Sequence, residues 1–204
     1  MHTALSATSE TLAAFLAAQL SATIPFFADG TMTVALNDPE EMEGLSGGTQ
    51  GLSLWLYRVV RDEQHVNAPP RRLAANRLER VLLPLRLYYL VTPVVANTLT
   101  APGTRQTILG RVLQAFHDHP SFRGADLRGD LAGTASELFI RLQPMEVDEL
   151  ARIWDAMDRS YQLSVSYEVS MVLVRSALDP DAVTPVEVAL PEWGVITAVE
   201  PVGP

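Results

Sequence analysis

Neither cysteine nor lysine occurs in these 204 residues, and all 15 basic side chains are arginine. Without cysteine there is no thiolate nucleophile, no disulfide and no cysteine-bound zinc. Without lysine there is no Schiff base and no phosphate-loop lysine. Positive charge is scarce: 24 acidic residues leave a formal net charge of −9, and the arginines stand singly or in pairs. That pattern excludes the basic patch that nucleic-acid binding needs. Long apolar runs are also lacking, since none reaches the ~20 residues of a membrane span. The N-terminus, MHTALSATSETLAAFLAAQLSA, has no basic n-region, and Glu10 and Gln19 interrupt it, so it reads as a helix rather than a signal peptide. The chain is expected to be cytoplasmic at synthesis.

What is present suits one generous α/β domain: 48% of residues are hydrophobic and 19% charged. In the first helix Leu12, Phe15, Leu16 and Leu20 share a face, with Thr8 or Ser9 as N-cap. A short strand follows over 31–36, then an acidic, glycine-rich loop from Asn37 to Gly51. The next strand, 52–60, puts Leu52, Leu54, Leu56 and Val60 on one side and Trp55, Tyr57 and Val59 on the other, and is expected to be central. Residues 61–80 read as a surface connection.

Residues 82–92, LLPLRLYYLVT, alternate again. Leu83, Leu85, Leu87, Tyr89 and Val91 face one way and Arg86, Tyr88 and Leu90 the other, while Pro84 points to a start at a sheet edge or before the ladder. The 3.6-residue period of Ile108, Leu109, Val112, Leu113 and Phe116 predicts a helix over 104–118. A strand at 137–142 and a helix after Pro144 follow, the helix with a stripe of Val147, Leu150, Ala151, Trp154 and Met157. In 164–176, Val165, Tyr167, Val169, Met171 and Leu173 alternate with Ser164, Ser166, Glu168 and Ser170, which predicts a polar face turned to solvent or a partner. The expected division is a domain over 1–178 and a proline-rich extension over 179–204.

Catalytic patterns fail one by one. Leu45 to Gln50, LSGGTQ, is similar to a nucleotide-binding signature loop, but that loop works beside a lysine-bearing phosphate loop. His117 and His119 stand two apart on a helix end and diverge by about 200°, so they do not converge on a metal. There is no GxSxG turn, and the paired carboxylates lie in loops or helix starts. No cofactor or metal is expected. Contact is the better role, because Tyr and Arg are enriched at hot spots. The strand faces of Tyr57 with Arg61 and Tyr88 with Arg86 are the first candidates, followed by Ser164, Ser166, Glu168, Ser170 and the tail residue Trp193.

Six segments taken in order carry a resemblance: SLWLYRVVRD (53–62), Pro69-Pro70, LPLRLYYLVTP (83–93), ILGRVLQAFHDHP (108–120), LFIRLQPMEVDELARIWDAM (138–157) and YQLSVSYEVSMVLV (161–174). Together they resemble the N-terminal domain family of cap, or tail-terminator, proteins of contractile injection systems. The resemblance implies a mixed β-sheet flanked by helices, similar to contractile-phage tail terminators, and no enzymatic activity. It further implies a homohexameric ring ending the inner tube and sheath distal to the baseplate, with tube and sheath subunits as partners, extracellular once a particle is released. Ring closure needs two different patches meeting around the axis, and the 179–204 tail is expected to supply part of one. Two rivals are a small enzyme using the Asn37–Gly51 carboxylates and a monomeric adaptor binding through a sheet edge.

Overall fold

The computed structural model describes residues 2–44, 50–66, 69–96, 98 and 100–184. Its centre is a six-stranded sheet in the order β1-β2-β5-β8-β7-β6. The strands are β1 (Met32–Ala35), β2 (Gln50–Arg61), β5 (Leu83–Val94), β6 (Ser121–Arg123), β7 (Glu137–Gln143) and β8 (Val165–Val174). All neighbours run antiparallel except β1 and β2, which are parallel. This is the expected mixed sheet flanked by helices.

One face of the sheet carries the main core under α1 (Ala4–Ser21), α2 (Pro25–Ala28) and α4 (Ala101–Asp118). Leu12, Leu16 and Leu20 are completely buried, as their spacing predicts. The helix begins earlier than expected, so Thr8 and Ser9 are not caps but lie buried within its first turns. The Thr8 and Thr11 hydroxyls donate back to the Ala4 and Ala7 carbonyls, each at 2.7 Å, and Ser9 Oγ pairs with Tyr89 OH at 2.8 Å. Each of these three helix hydroxyls thus has a partner, which removes most of the cost of burial. Phe15, Phe116, Phe122 and Tyr167 close this core edge-to-face, with Phe15–Phe122 centroids 5.0 Å apart and Phe116–Tyr167 centroids 4.8 Å apart. Burial pushes the Tyr89 phenol well above its ordinary range and the Tyr167 phenol up to about 12.

Two bulges change the expected strand phases. Between Leu56 and Arg58 the β2–β5 register slips, pairing Leu56 with Tyr89 and Arg58 with Tyr88. Val60 therefore stands opposite Arg86, on the face away from Leu52 and Leu54, and Arg61 stands opposite Leu85, on the face away from Arg86. In β8, Leu85 pairs with Val172 and Leu87 with Val169, so two residues, Ser170 and Met171, oppose one, and Met171 adopts φ 64°. Val172 takes the core place expected of Met171 and Leu173. A one-residue slip inverts every side chain beyond it.

Other departures are local. Pro84 is buried within the central strand β5, opposite Leu173 on β8. Its carbonyl accepts the Asp62 N–H at 2.9 Å just past the end of β2, so its missing donor falls where β2 has stopped. The Asn37–Gly51 loop contains a helix, α3 (Pro39–Gly44), capped by Asp38 Oδ1 on the Glu41 N–H at 2.8 Å. Residues 45–49 of the LSGGTQ segment lie outside the described residues. Gly51 has φ +140°, and a Cβ there would stand 1.9 Å from the Thr33 carbonyl oxygen, so glycine is what lets β1 lie against β2. Residues 61–80, expected to be a plain connection, fold back as a hairpin, β3 (Arg72–Ala74) and β4 (Arg77–Leu78). A short β9 (Asp181–Ala182), at the start of the expected extension, adds to it in the order β3-β4-β9.

Candidate functional site

The second face of the sheet is built differently. Helix α5 (Val147–Ala156) covers part of it, burying Leu150 and Trp154 against Leu90, with Trp55, Tyr57, Met145, Ile153 and Met157 around them. Val147, expected in the buried stripe, is 69% exposed because the first residue of the helix overhangs this small cluster. Beyond the helix the face carries charge in place of hydrocarbon.

The organising residue is Arg86, near the start of β5. Its Nη2 donates to Asp62 Oδ1 at 2.8 Å and to Gln64 Oε1 at 2.7 Å, and its Nη1 lies 3.6 Å from Glu168 Oε1. Asp62 has no exposed side-chain surface, and its Oδ2 lies 2.7 Å from His65 Nδ1. Glu168, 3% exposed, accepts from Tyr88 OH at 3.0 Å and from Arg141 Nη2 at 2.6 Å and Nε at 3.1 Å. The Arg58 guanidinium lies 5.1 Å from the Tyr88 ring centroid, a cation–π contact. Two carboxylates thus meet two arginines directly, with a third over the ring.

Protonation follows from this arrangement. Burial alone would raise the Asp62 carboxyl, but the hydrogen bonds from Arg86, His65 and the Gln64 N–H outweigh it and hold the group below the usual carboxylate range. Burial first, and then the bond to Glu168, raises the Tyr88 phenol. Asp62 held in its ionised form by an arginine serves a framework better than proton transfer near neutral pH. Among the described residues no group of three His, Asp or Glu is placed to hold a metal ion.

Most sequence-predicted contact residues gather here, but from beneath the surface. Ser164, Ser166 and Glu168, expected on a solvent-facing strand face, are buried within the chain. Trp154 Nε1 donates to Ser164 Oγ at 3.3 Å, and Tyr57 OH pairs with Ser166 Oγ at 3.0 Å. Arg86 and Tyr88 are likewise covered by groups of their own chain. Ser170 is half-buried at the bulge, Arg61 is exposed, and Trp193 lies outside the described residues. Sequence reasoning missed Arg141 and Arg58, and it set Asp62 aside among the paired carboxylates of solvated loops, whereas its side chain is fully buried. The only signal for Asp62 was its place directly after a strand, and nothing local links it to Arg86.

The fold is thus a mixed, helix-flanked sheet whose second face is braced by a buried ionic network. A family model described as the Pvc16 N-terminal domain matches residues 7–187, and the chain belongs to that family. Among solved structures it is similar to the sheath/tube terminator of an extracellular contractile injection system, PVC, in its extended state. That match has 19% identity and a TM-score of 0.64, covering 95% of this chain and 64% of the other. It is also similar to the tube-terminating cap of the anti-feeding prophage, with 18% identity and a TM-score of 0.51, covering 78% of this chain and 53% of that one. The chain therefore spans less than two thirds of the length of either. No curated protein matches it. No helix among the described residues is long and apolar enough to cross a membrane.

Proposed function

We propose that this chain is a structural cap subunit of a contractile injection system, forming a homohexameric ring that ends the inner tube and sheath distal to the baseplate. The observation that carries the reading is the family match across 7–187, on a fold shared over 95% of the chain with a sheath/tube terminator. The ionic second face supports it. A rigid, charge-matched sheet holds its surface loops in one geometry, which repeated contacts around a ring require. In this reading the subunit has no catalytic role and is extracellular once the particle is released. Arg61, Ser170 and Trp193 remain contact candidates, while Tyr57, Arg86, Tyr88, Ser164, Ser166 and Glu168 hold the sheet from below.

Electron microscopy of particles made with and without the chain tests this. A tagged chain is expected at the particle end away from the baseplate as a ring of six, and its loss is expected to release control of particle length. Particles of unchanged length and unchanged ends without it would overturn the proposal. For the adaptor rival, six chains of 22.3 kDa would run at about 134 kDa, against one chain mass for an adaptor.

A further inference from the structure

The hairpin arm stands off the main sheet with its surface unfilled. No residue of β3, β4 or β9 is buried, and Leu73, Val81, Leu83 and Leu178 are between 44% and 68% exposed. Between the root of this arm and the end of β8 runs a groove of about 270 Å³. Pro69, Pro70, Leu82 and Leu173 supply its apolar lining, and Arg71, Arg80, Arg175 and Glu79 its charge, a net excess of arginine, with Arg175 Nε 3.8 Å from Glu79 Oε1. An open apolar groove on a protein of this size marks a place where something docks.

The chain itself contains a segment of matching chemistry. Residues 185–204, PVEVALPEWGVITAVEPVGP, combine apolar pieces and prolines with three glutamates and no basic residue. Their point of departure is known. β9 runs antiparallel to β4, with Asp181 opposite Leu78 and Ala182 opposite Arg77, and the Val183 N–H donates to the Asn76 carbonyl at 3.0 Å. The chain is therefore travelling toward the hairpin tip at Ala75–Asn76. The groove lies at the other end of the hairpin, where the Glu79 N–H donates to the Arg71 carbonyl at 2.8 Å. To enter its own groove the tail would have to reverse direction. Twenty extended residues span up to about 66 Å, ample to reach a neighbouring subunit.

We propose that residues 185–204 lie in the Pro69/Pro70–Leu173 groove of a second copy of the chain, so that each subunit clasps the next head to tail. This is the heterologous contact that closes a ring, with tail as one patch and groove as the other. Arg71 meets the tail's acidic residues, while Arg80 already holds Asp181 at 2.7 Å and so anchors the strand from which the tail departs. The inference rests on the reading above only in that copies of the chain assemble together.

The absence of cysteine makes a direct test simple. One full-length chain carries Val81→Cys in the groove, and a second carries Val195→Cys in the tail. The two are mixed in solution and also produced together in particles, then oxidised and run on a non-reducing gel. Docking raises local concentration, so the mixed dimer is expected at about tenfold or more the yield of a control pair in which Asp118→Cys, exposed at the end of α4, replaces Val81→Cys. Yields equal to the control in both settings would overturn the proposal. So would an intramolecular cross-link in the Val81→Cys/Val195→Cys double variant without mixed dimers, which would return the tail to its own groove. Capped particles of normal length without the cross-link would sink this inference alone and leave the cap reading standing.

Discussion

The two faces of the central sheet are held together by different physics. Under α1 and α4 the sheet is sealed by hydrocarbon and aromatic rings, and its few polar atoms, such as Ser9 and Tyr89, are paired inside the core. Across the sheet, α5 buries only a small cluster around Leu90, Leu150 and Trp154, and the rest is a row of ion pairs centred on Arg86. The first face makes the fold stable without directing it to any one partner, because burial is non-directional. The second fixes geometry, because charge-assisted bonds hold strand ends and loops in one arrangement.

The sharpest way to break this contrast is Arg86→Leu. It leaves Asp62 and Glu168 without their shared cation, and the expected loss is about 4 kcal/mol in urea unfolding. A loss under about 1 kcal/mol would mean that the network is decoration. Leu87→Ala, on the opposite face of the same strand, empties a fully buried site and is expected to cost about 3 kcal/mol. If the two faces differ as described, only the Arg86 loss should depend on pH.

That dependence has a definite sign. The folded Asp62 carboxyl is held below its ordinary value, so its contribution is present above the unfolded value of about 3.9 and is lost as pH falls through the folded one. Urea midpoints measured from pH 6 to pH 3 are expected to fall less steeply for Asp62→Asn than for the natural chain, and parallel curves would refute the assignment. Tyr57→Phe removes the hydroxyl bond to Ser166 beside the α5 cluster on the second face, for an expected loss of about 1 kcal/mol by thermal unfolding. Arg141→Ala is the smallest: its side chain is 64% exposed, so the bond to Glu168 is solvent-screened and its loss is expected below about 1 kcal/mol.

The legibility of these regions in sequence followed the range of the interactions. The alternation of Leu85, Leu87, Tyr89 and Val91 against Arg86, Tyr88 and Leu90 was visible because strand geometry sends successive side chains to opposite faces. The same rule failed in β2 and β8 once a bulge added a residue, which displaced Val60, Arg61, Met171 and Leu173 from their expected faces. Ser166 and Glu168 alternate like solvent-facing residues, but α5, Tyr57, Tyr88 and Arg141 cover or bind them from elsewhere in the chain. No local pattern distinguishes a polar residue facing water from one facing a buried arginine.

By itself, the sequence determined the absence of thiol and lysine chemistry, the main helices and strands and, through six segments in order, the family resemblance. Each of these depends on composition or on neighbours a few residues apart. Only the tertiary structure decided that Asp62, Arg86, Arg141 and Glu168 form one network, that the 61–80 connection is a hairpin joined by Asp181–Ala182, and that the chain leaves that hairpin away from the groove at its root. Those facts rest on register and strand order, which bring residues far apart in sequence within bonding distance. A single bulge is enough to change which of them meet.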